Sequence, residues 1–224
     1  MIKSRIYERK TEIEERIKNA KAAGGFNHNV TLIAVTKYQP IELANEAIKA
    51  GITDIGENHV QSLMERDNLY LPCRRHFIGH LQTNKVKHLL SIKDLSLIQS
   101  VDSLRLALEI NKYSEKSGKT TNILIQVNIA GEAAKFGLPE SEVLETVKNI
   151  SELQNVKIKG FMSIMPIETK SVYYQKMYNI FCEFQQRNIH NTDIKLLSMG
   201  MSGDFEEAVK YGANMVRVGS LLFS

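Results

Sequence analysis

Eight short β-like runs recur along the chain, separated by stretches with helical spacing, and this alternation limits the possible folds more than any other feature. The runs are residues 31–37 (TLIAVTK), 53–57 (TDIGE), 75–79 (RHFIG), 96–102 (SLIQSVD), 122–129 (NILIQVNI), 157–164 (KIKGFMSI), 194–199 (IKLLSM) and 215–219 (MVRVG). Strands that alternate with helices imply a parallel sheet, and eight is the number that closes a (β/α)8 TIM barrel. A doubly wound open sheet is the second architecture compatible with the pattern.

The intervening stretches carry their own punctuation. "IELANEAIKAG", "HVQSLMERD", "TNKVKHLLSI", "SLRLALEINKYSEKSG", "PESEVLETVKNISEL", "KSVYYQKMYNIFCEFQQRN" and "DFEEAVKYGA" read as amphipathic helices. Pro139 suits a first helical turn, Ser103 and Ser202 are candidate N-caps, and Gly51, Gly118 and Gly212 stand where helices should stop. Ile6, Ile13 and Ile17 fall at helical spacing among charges, which adds an N-terminal helix to the α/β barrel. No linker or low-complexity tract divides residues 1–224, so one barrel domain is expected.

Composition excludes several function classes. The 29 Lys and Arg against 25 Asp and Glu leave a net charge of +4, too small an excess to point to nucleic acid. No run of 18 apolar residues and no signal-peptide core is present, and the two cysteines form no framework, so a cytoplasmic protein without a membrane partner is expected. His76 lies within a strand and His80 just beyond it. Their spacing is wrong for a helical metal pair, and no metal site is expected.

In a barrel of this kind the chemistry lies at the C-terminal strand ends and on the loops that follow. Those ends supply Lys37, Glu57 and Asn58, Gly79 and His80, Asp102, Asn128, Ser163 to Pro166, Ser198 to Ser202, and Arg217 to Ser220. A lysine at a strand end commonly snorkels to water. Delivered to the functional rim, it could instead attack a carbonyl and form a Schiff base with a sugar, a keto acid or pyridoxal phosphate. "SMGMSGDFEEAV" and "VRVGSLLF" follow strands 7 and 8, where such barrels often bind phosphate. Gly200, Gly203 and Gly219 would let backbone amides approach an anion, beside the hydroxyl of Ser202. A capped helix after a glycine turn explains the first stretch equally well. Arg217 could bind a phosphate oxygen, pair with Asp204, or face a pyridine nitrogen. In the last position it would leave that nitrogen unprotonated and weaken the ring as an electron sink.

Together "AVTKYQP", "GENHVQ", "HFIGHLQTNK", "QSVDS", "VNIAGEAAKFG", "GFMSIMP", "LSMGMSGDFEEAVKYG" and "VRVGSLLF" resemble the pyridoxal phosphate homeostasis protein family, similar in fold to the N-terminal domain of alanine racemase. The resemblance spans roughly residues 30 to 223. It implies that Lys37 holds pyridoxal 5'-phosphate as a Schiff base. It also implies that Asn58 lies near the ring or its hydroxyl, that Arg217 faces the ring nitrogen, and that the phosphate lies against Ser202 and the amides around Met199, Gly219 and Ser220, with Ser198 also among the cofactor-binding residues. His59, Phe161, Ser220 and Ser224 depart from residues frequent in that family, and none removes a proposed ligand.

Two function classes follow. The first is a binding protein, expected to be a monomer, that holds the cofactor, takes part in its intracellular homeostasis and hands it to apoenzymes, with no catalytic residue of its own. The second is a small cofactor-dependent enzyme such as an amino-acid racemase. Racemization needs an acid or base on each face of the α-carbon. In similar racemases the opposing tyrosine comes from a C-terminal β-domain, whereas this chain is expected to stop shortly after strand 8. Tyr38 adjoins Lys37 but should point to the other side of a strand. A class I aldolase working through Lys37 fits a generic barrel by fold analogy alone.

Overall fold

The computed structural model describes residues 2–166 and 171–224. A long helix, α1 (Ile2–Ala23), precedes β1 (Thr31–Val35), α2 (Ile41–Lys49), β2 (Asp54–Glu57), α3 (Val60–Arg66), β3 (Arg74–Phe77) and α4 (Val86–Leu89). There follow β4 (Leu95–Val101), α5 (Leu104–Lys116), β5 (Thr121–Gln126), α6 (Val143–Ser151), β6 (Val156–Met162) and α7 (Ser171–Gln186). The chain closes with β7 (Thr192–Ser198), α8 (Phe205–Lys210), β8 (Met215–Val218) and α9 (Ser220–Phe223). The strands form a closed parallel barrel in sequence order, with Ala34 of β1 opposite both Ile55 of β2 and Val218 of β8. The eight-stranded TIM barrel read from the alternation is therefore the observed fold.

Strand alternation sorts side chains into two shells, because neighbours along a strand point to opposite faces. Ile33, Leu97, Leu124, Met162 and Met215 fill the barrel interior, while Ala34, Ile98, Ile123, Phe161 and Val216 pack outward beneath the helices. Phe161 is fully buried and meets Phe184 of α7 edge-on at 5.0 Å. Ile6, Ile13 and Ile17 bury the inner face of α1, which packs along α8, where Arg16 pairs with Glu206 at 2.6 Å.

Several sequence expectations need correction. The first strand stops at Val35 rather than at residue 37: Gln39 N–H closes a turn onto Thr36 O, and Tyr38 takes a φ of 64°. Lys37 and Tyr38 thus lie on a turn, so the argument that they project from opposite sides of a strand does not apply. The fifth strand stops at Gln126 because the chain doubles back, Leu138 N–H reaching Gln126 O and Asn128 N–H reaching Leu138 O. Ser103 caps α5 by accepting from Leu106 N–H, but α8 is capped at Asp204 and not at Ser202. Met162, Met165 and Met199 are buried at the barrel mouth, whereas Met201 is 40% exposed. The expected start of α7 at Lys170 lies outside the described residues. Gly51, Gly118 and Gly212 all take positive φ at helix ends, as their positions suggest. Among the described residues, no helix is long and apolar enough to cross a membrane.

Candidate functional site

The C-terminal rim is built from the turns that follow each strand. Under the Lys37 turn, the carboxylate of Glu57 is 1% exposed. It accepts from Thr36 Oγ1 at 2.6 Å, Tyr70 OH at 3.0 Å and Arg66 Nη1 at 3.2 Å. Arg66 Nη1 also donates to Thr36 O at 3.3 Å, so the backbone immediately before Lys37 is tied to the end of β2. Burial, and the nearby charge of Glu57, push the Tyr70 hydroxyl well above its ordinary range, which keeps it a donor. Lys37 itself is half-buried, and among the described residues its ammonium makes no hydrogen bond or ion pair.

Across the mouth, the turns after β7 and β8 meet. Gly219 N–H donates to Ser202 Oγ at 3.2 Å. Gly200 takes a φ of 94°, and a Cβ there would stand 2.6 Å from Ala208 Cβ and 2.8 Å from Phe205 Cα, so only glycine lets the turn pass this close to α8. Gly203 has neither constraint. The amides of Asp204 and Phe205 both bond Met201 O and are not available to an anion. The N–H groups of Gly200, Ser202 and Gly203 meet no acceptor among the described residues, and these are the free donors of the turn. Met199 is fully buried with its N–H on Met215 O at 3.2 Å, so it shapes the floor and offers no amide. Ser220 is exposed at the start of α9.

Arg217 is buried at the inner end of the site. Its Nη1 donates to Ser198 Oγ at 2.6 Å and its Nη2 to Ser163 O at 2.9 Å. Burial pushes its pKa down to about 10, opposed by the charge of Asp204. It forms no ion pair with Asp204, whose oxygens are taken by Met201 N–H and Tyr174 OH. Of the three roles open to Arg217 in the sequence, the pairing with Asp204 is thus absent.

Asn58 follows β2, and its Oδ1 is buried without a partner. A Cβ at Gly79 would come within 2.1 Å of Asn58 O, so glycine is required where the β3 exit presses on this loop. Asn58 forms one wall of a cleft of about 330 Å³, with His59, Phe77, His80 and Lys85 on the others. His80 stacks on Phe136 at 3.7 Å and approaches Asp102 at 3.5 Å, while burial pushes the Asp102 carboxyl up. A larger cleft of about 480 Å³ opens at the opposite mouth, where Lys10 pairs with Glu14 and Arg74 with Asp54. Among the described residues, no group of three or more His, Cys, Asp or Glu could hold a metal ion.

The structure therefore brings Ser198 to Arg217 and Ser202 to Gly219, with Lys37 and Asn58 on the adjoining ends of β1 and β2. Ser163, one of the strand ends read from the sequence, supplies the carbonyl on Arg217, whereas sequence reading missed Gln99, which accepts from the Ser198 hydroxyl behind it. A buried glutamine inside the apolar run "SLIQSV" was the available signal for Gln99.

Residues 10–224 match the family described as "Alanine racemase, N-terminal domain". The pyridoxal phosphate homeostasis protein of Aquifex aeolicus is 38% identical over 223 residues, covering 96% of each chain. This chain belongs to the pyridoxal phosphate homeostasis protein family. Among solved structures, PipY of Synechococcus elongatus with PLP bound is similar at a TM-score of 0.81 and 29% identity, covering 98% of this chain and all of PipY. An alanine racemase of Clostridium difficile shares the fold at a TM-score of 0.76 and 14% identity, the match covering 98% of this chain and 56% of the racemase.

Proposed function

We propose that this protein binds pyridoxal 5'-phosphate as a Schiff base on Lys37 and takes part in intracellular homeostasis of the cofactor without turning over a substrate. The observation that carries this reading is an unpaired lysine held on a braced turn, on the same C-terminal rim as a glycine-rich turn with three free N–H donors. The residues fit the group: Ser202 and Gly203 N–H with the Ser202 hydroxyl suit the phosphate, and the orphaned Asn58 Oδ1 suits the ring substituents. When bound, the cofactor supplies an electrophilic aldehyde and an electron-withdrawing pyridine ring.

Lys37 Nζ, once deprotonated, would be the nucleophile toward that aldehyde, and the Thr36 and Arg66 hydrogen bonds hold the turn that carries it. Arg217 donates only, so it would leave a ring nitrogen held against it without a proton, an arrangement that would favour storage over carbanion chemistry. Several features support the absence of turnover. Tyr38 is 83% exposed on its turn, and His80 is engaged by Asp102 and Phe136, which leaves neither poised as a second base opposite Lys37. The relatives' name, homeostasis protein, agrees. The same reading makes the protein one barrel domain, a cytoplasmic monomer that delivers cofactor to apoenzymes.

Reconstitution followed by assay against a panel of amino acids tests the proposal. Visible cofactor absorbance without turnover above free cofactor is expected; rapid racemization or decarboxylation would refute the storage role.

A further inference from the structure

A continuous chain of buried hydrogen bonds runs through the barrel from its N-terminal mouth to Arg217. Arg74 Nε and Nη2 hold Asp54 at 2.7 and 2.6 Å; Asp54 Oδ1 meets His76 Nε2 at 2.8 Å; His76 Nδ1 meets Gln99 Nε2 at 3.1 Å. Ser198 Oγ then donates to Gln99 Oε1 at 2.7 Å, and Arg217 Nη1 donates to Ser198 Oγ at 2.6 Å. Asp54, His76, Gln99, Ser198 and Arg217 are all at most 4% exposed, and they come from five strands.

The orientation of each link follows from the one above it. A guanidinium only donates, so Ser198 Oγ accepts from it and sends its single proton to Gln99 Oε1. The Gln99 amide must then turn its NH2 toward His76, whose Nδ1 has to accept. His76 is therefore neutral, with its proton on Nε2, donating to Asp54. A second proton on Nδ1 would face the Gln99 NH2 and drive the amide to flip. The flipped amide would take from Ser198 the acceptor for its hydroxyl proton. Asp54 and Arg74 are the charged groups bonded into this chain at His76, Met215 Sδ accepts from Gln99 Nε2 at 3.2 Å, and Asp204 is the acid whose charge reaches Arg217.

We propose that Gln99 and His76 are positioning residues for the cofactor site, acting through Ser198 to hold the Arg217 guanidinium in one orientation toward the ring nitrogen. The inference rests on the pyridoxal phosphate reading above. Neither residue touches the cofactor; each sets the orientation of its neighbour, so the site's donor pattern is specified from inside the barrel.

The test combines two readouts. In cofactor-free protein, nitrogen NMR of His76 should show the neutral Nε2–H form; protonation on Nδ1 alone would overturn the chain. For cofactor binding, Gln99→Leu and Ser198→Ala should each weaken affinity about tenfold, the ratio expected for one lost buried hydrogen bond. Both should make the bound cofactor's absorbance titrate across neutral pH, where wild type stays flat, while Lys37 is still trapped by borohydride. Ser198→Thr keeps the hydroxyl and should restore affinity and the flat profile. Wild-type affinity and a flat profile in both Gln99→Leu and Ser198→Ala would overturn the proposal, as would Ser198→Thr behaving like Ser198→Ala. A wild-type protein that takes up no cofactor would instead sink the functional reading, and the His76 tautomer would still decide the chain by itself.

Discussion

Asp54→Ala is the perturbation whose cost is most directly readable from the structure. Asp54 is 2% exposed and accepts from Arg74 Nε and Nη2, Thr53 Oγ1 and His76 Nε2. Arg74 is 60% exposed at its side chain and Thr53 is exposed, so both recover water when the carboxylate is removed and lose little. His76 cannot recover it: its Nε2–H is left buried without an acceptor, which costs about 1–3 kcal/mol. The small void left by the carboxylate adds about 1 kcal/mol, for a total of about 2–4 kcal/mol. In a chain of this size that lowers Tm by roughly 5–15 °C.

The hydrogen bonds from His76, Arg74 and Thr53 outweigh burial, the largest single influence, and hold the Asp54 carboxyl below the usual range. A carboxyl depressed on folding contributes stability that is complete above its unfolded pKa of about 4 and lost as pH falls toward the folded value. The gap between wild type and Asp54→Asn should therefore be widest near neutrality and shrink in acid. Urea unfolding followed by far-UV circular dichroism at neutral and acidic pH measures both effects. A loss below about 0.5 kcal/mol for Asp54→Ala, the range of an ordinary surface change, would refute the reasoning. So would a gap for Asp54→Asn that does not depend on pH.

Gly200→Val forces a β-branched residue to a φ of 94° against Ala208 and Phe205, and should cost about 2–4 kcal/mol by thermal melt while weakening cofactor binding. Ser202→Ala removes one phosphate donor and the acceptor for Gly219 N–H. It should weaken binding about tenfold, by fluorescence titration, with Tm changed by only a few degrees. Phe161→Ala empties a fully buried site beside Phe184 and should lose about 3–5 kcal/mol in urea unfolding, with the cofactor spectrum intact in the folded fraction.

The barrel was legible because short β-like runs, clearest in TLIAV and NILIQ, alternate with stretches of helical spacing along the whole chain. Register and strand ends were less so. Thr36 looks like strand in sequence, yet its hydroxyl and carbonyl bind Glu57 and Arg66, partners 21 and 30 residues away, and the chain turns there. Ser202 resembles an N-cap locally; its hydroxyl instead meets Gly219, which follows another strand. The lysine and the glycine-rich turns were visible as candidates through local chemistry, and the family resemblance gave them their expected roles. The spine behind Arg217 was not visible, because His76, Gln99 and Ser198 are brought together only when the barrel closes.

Borohydride reduction of the reconstituted protein, followed by peptide mass spectrometry, tests the central claim most directly. The account expects a phosphopyridoxyl group on Lys37, and its loss from that site in Lys37→Ala. A label on a different lysine of the wild-type protein, or none at all, would contradict it.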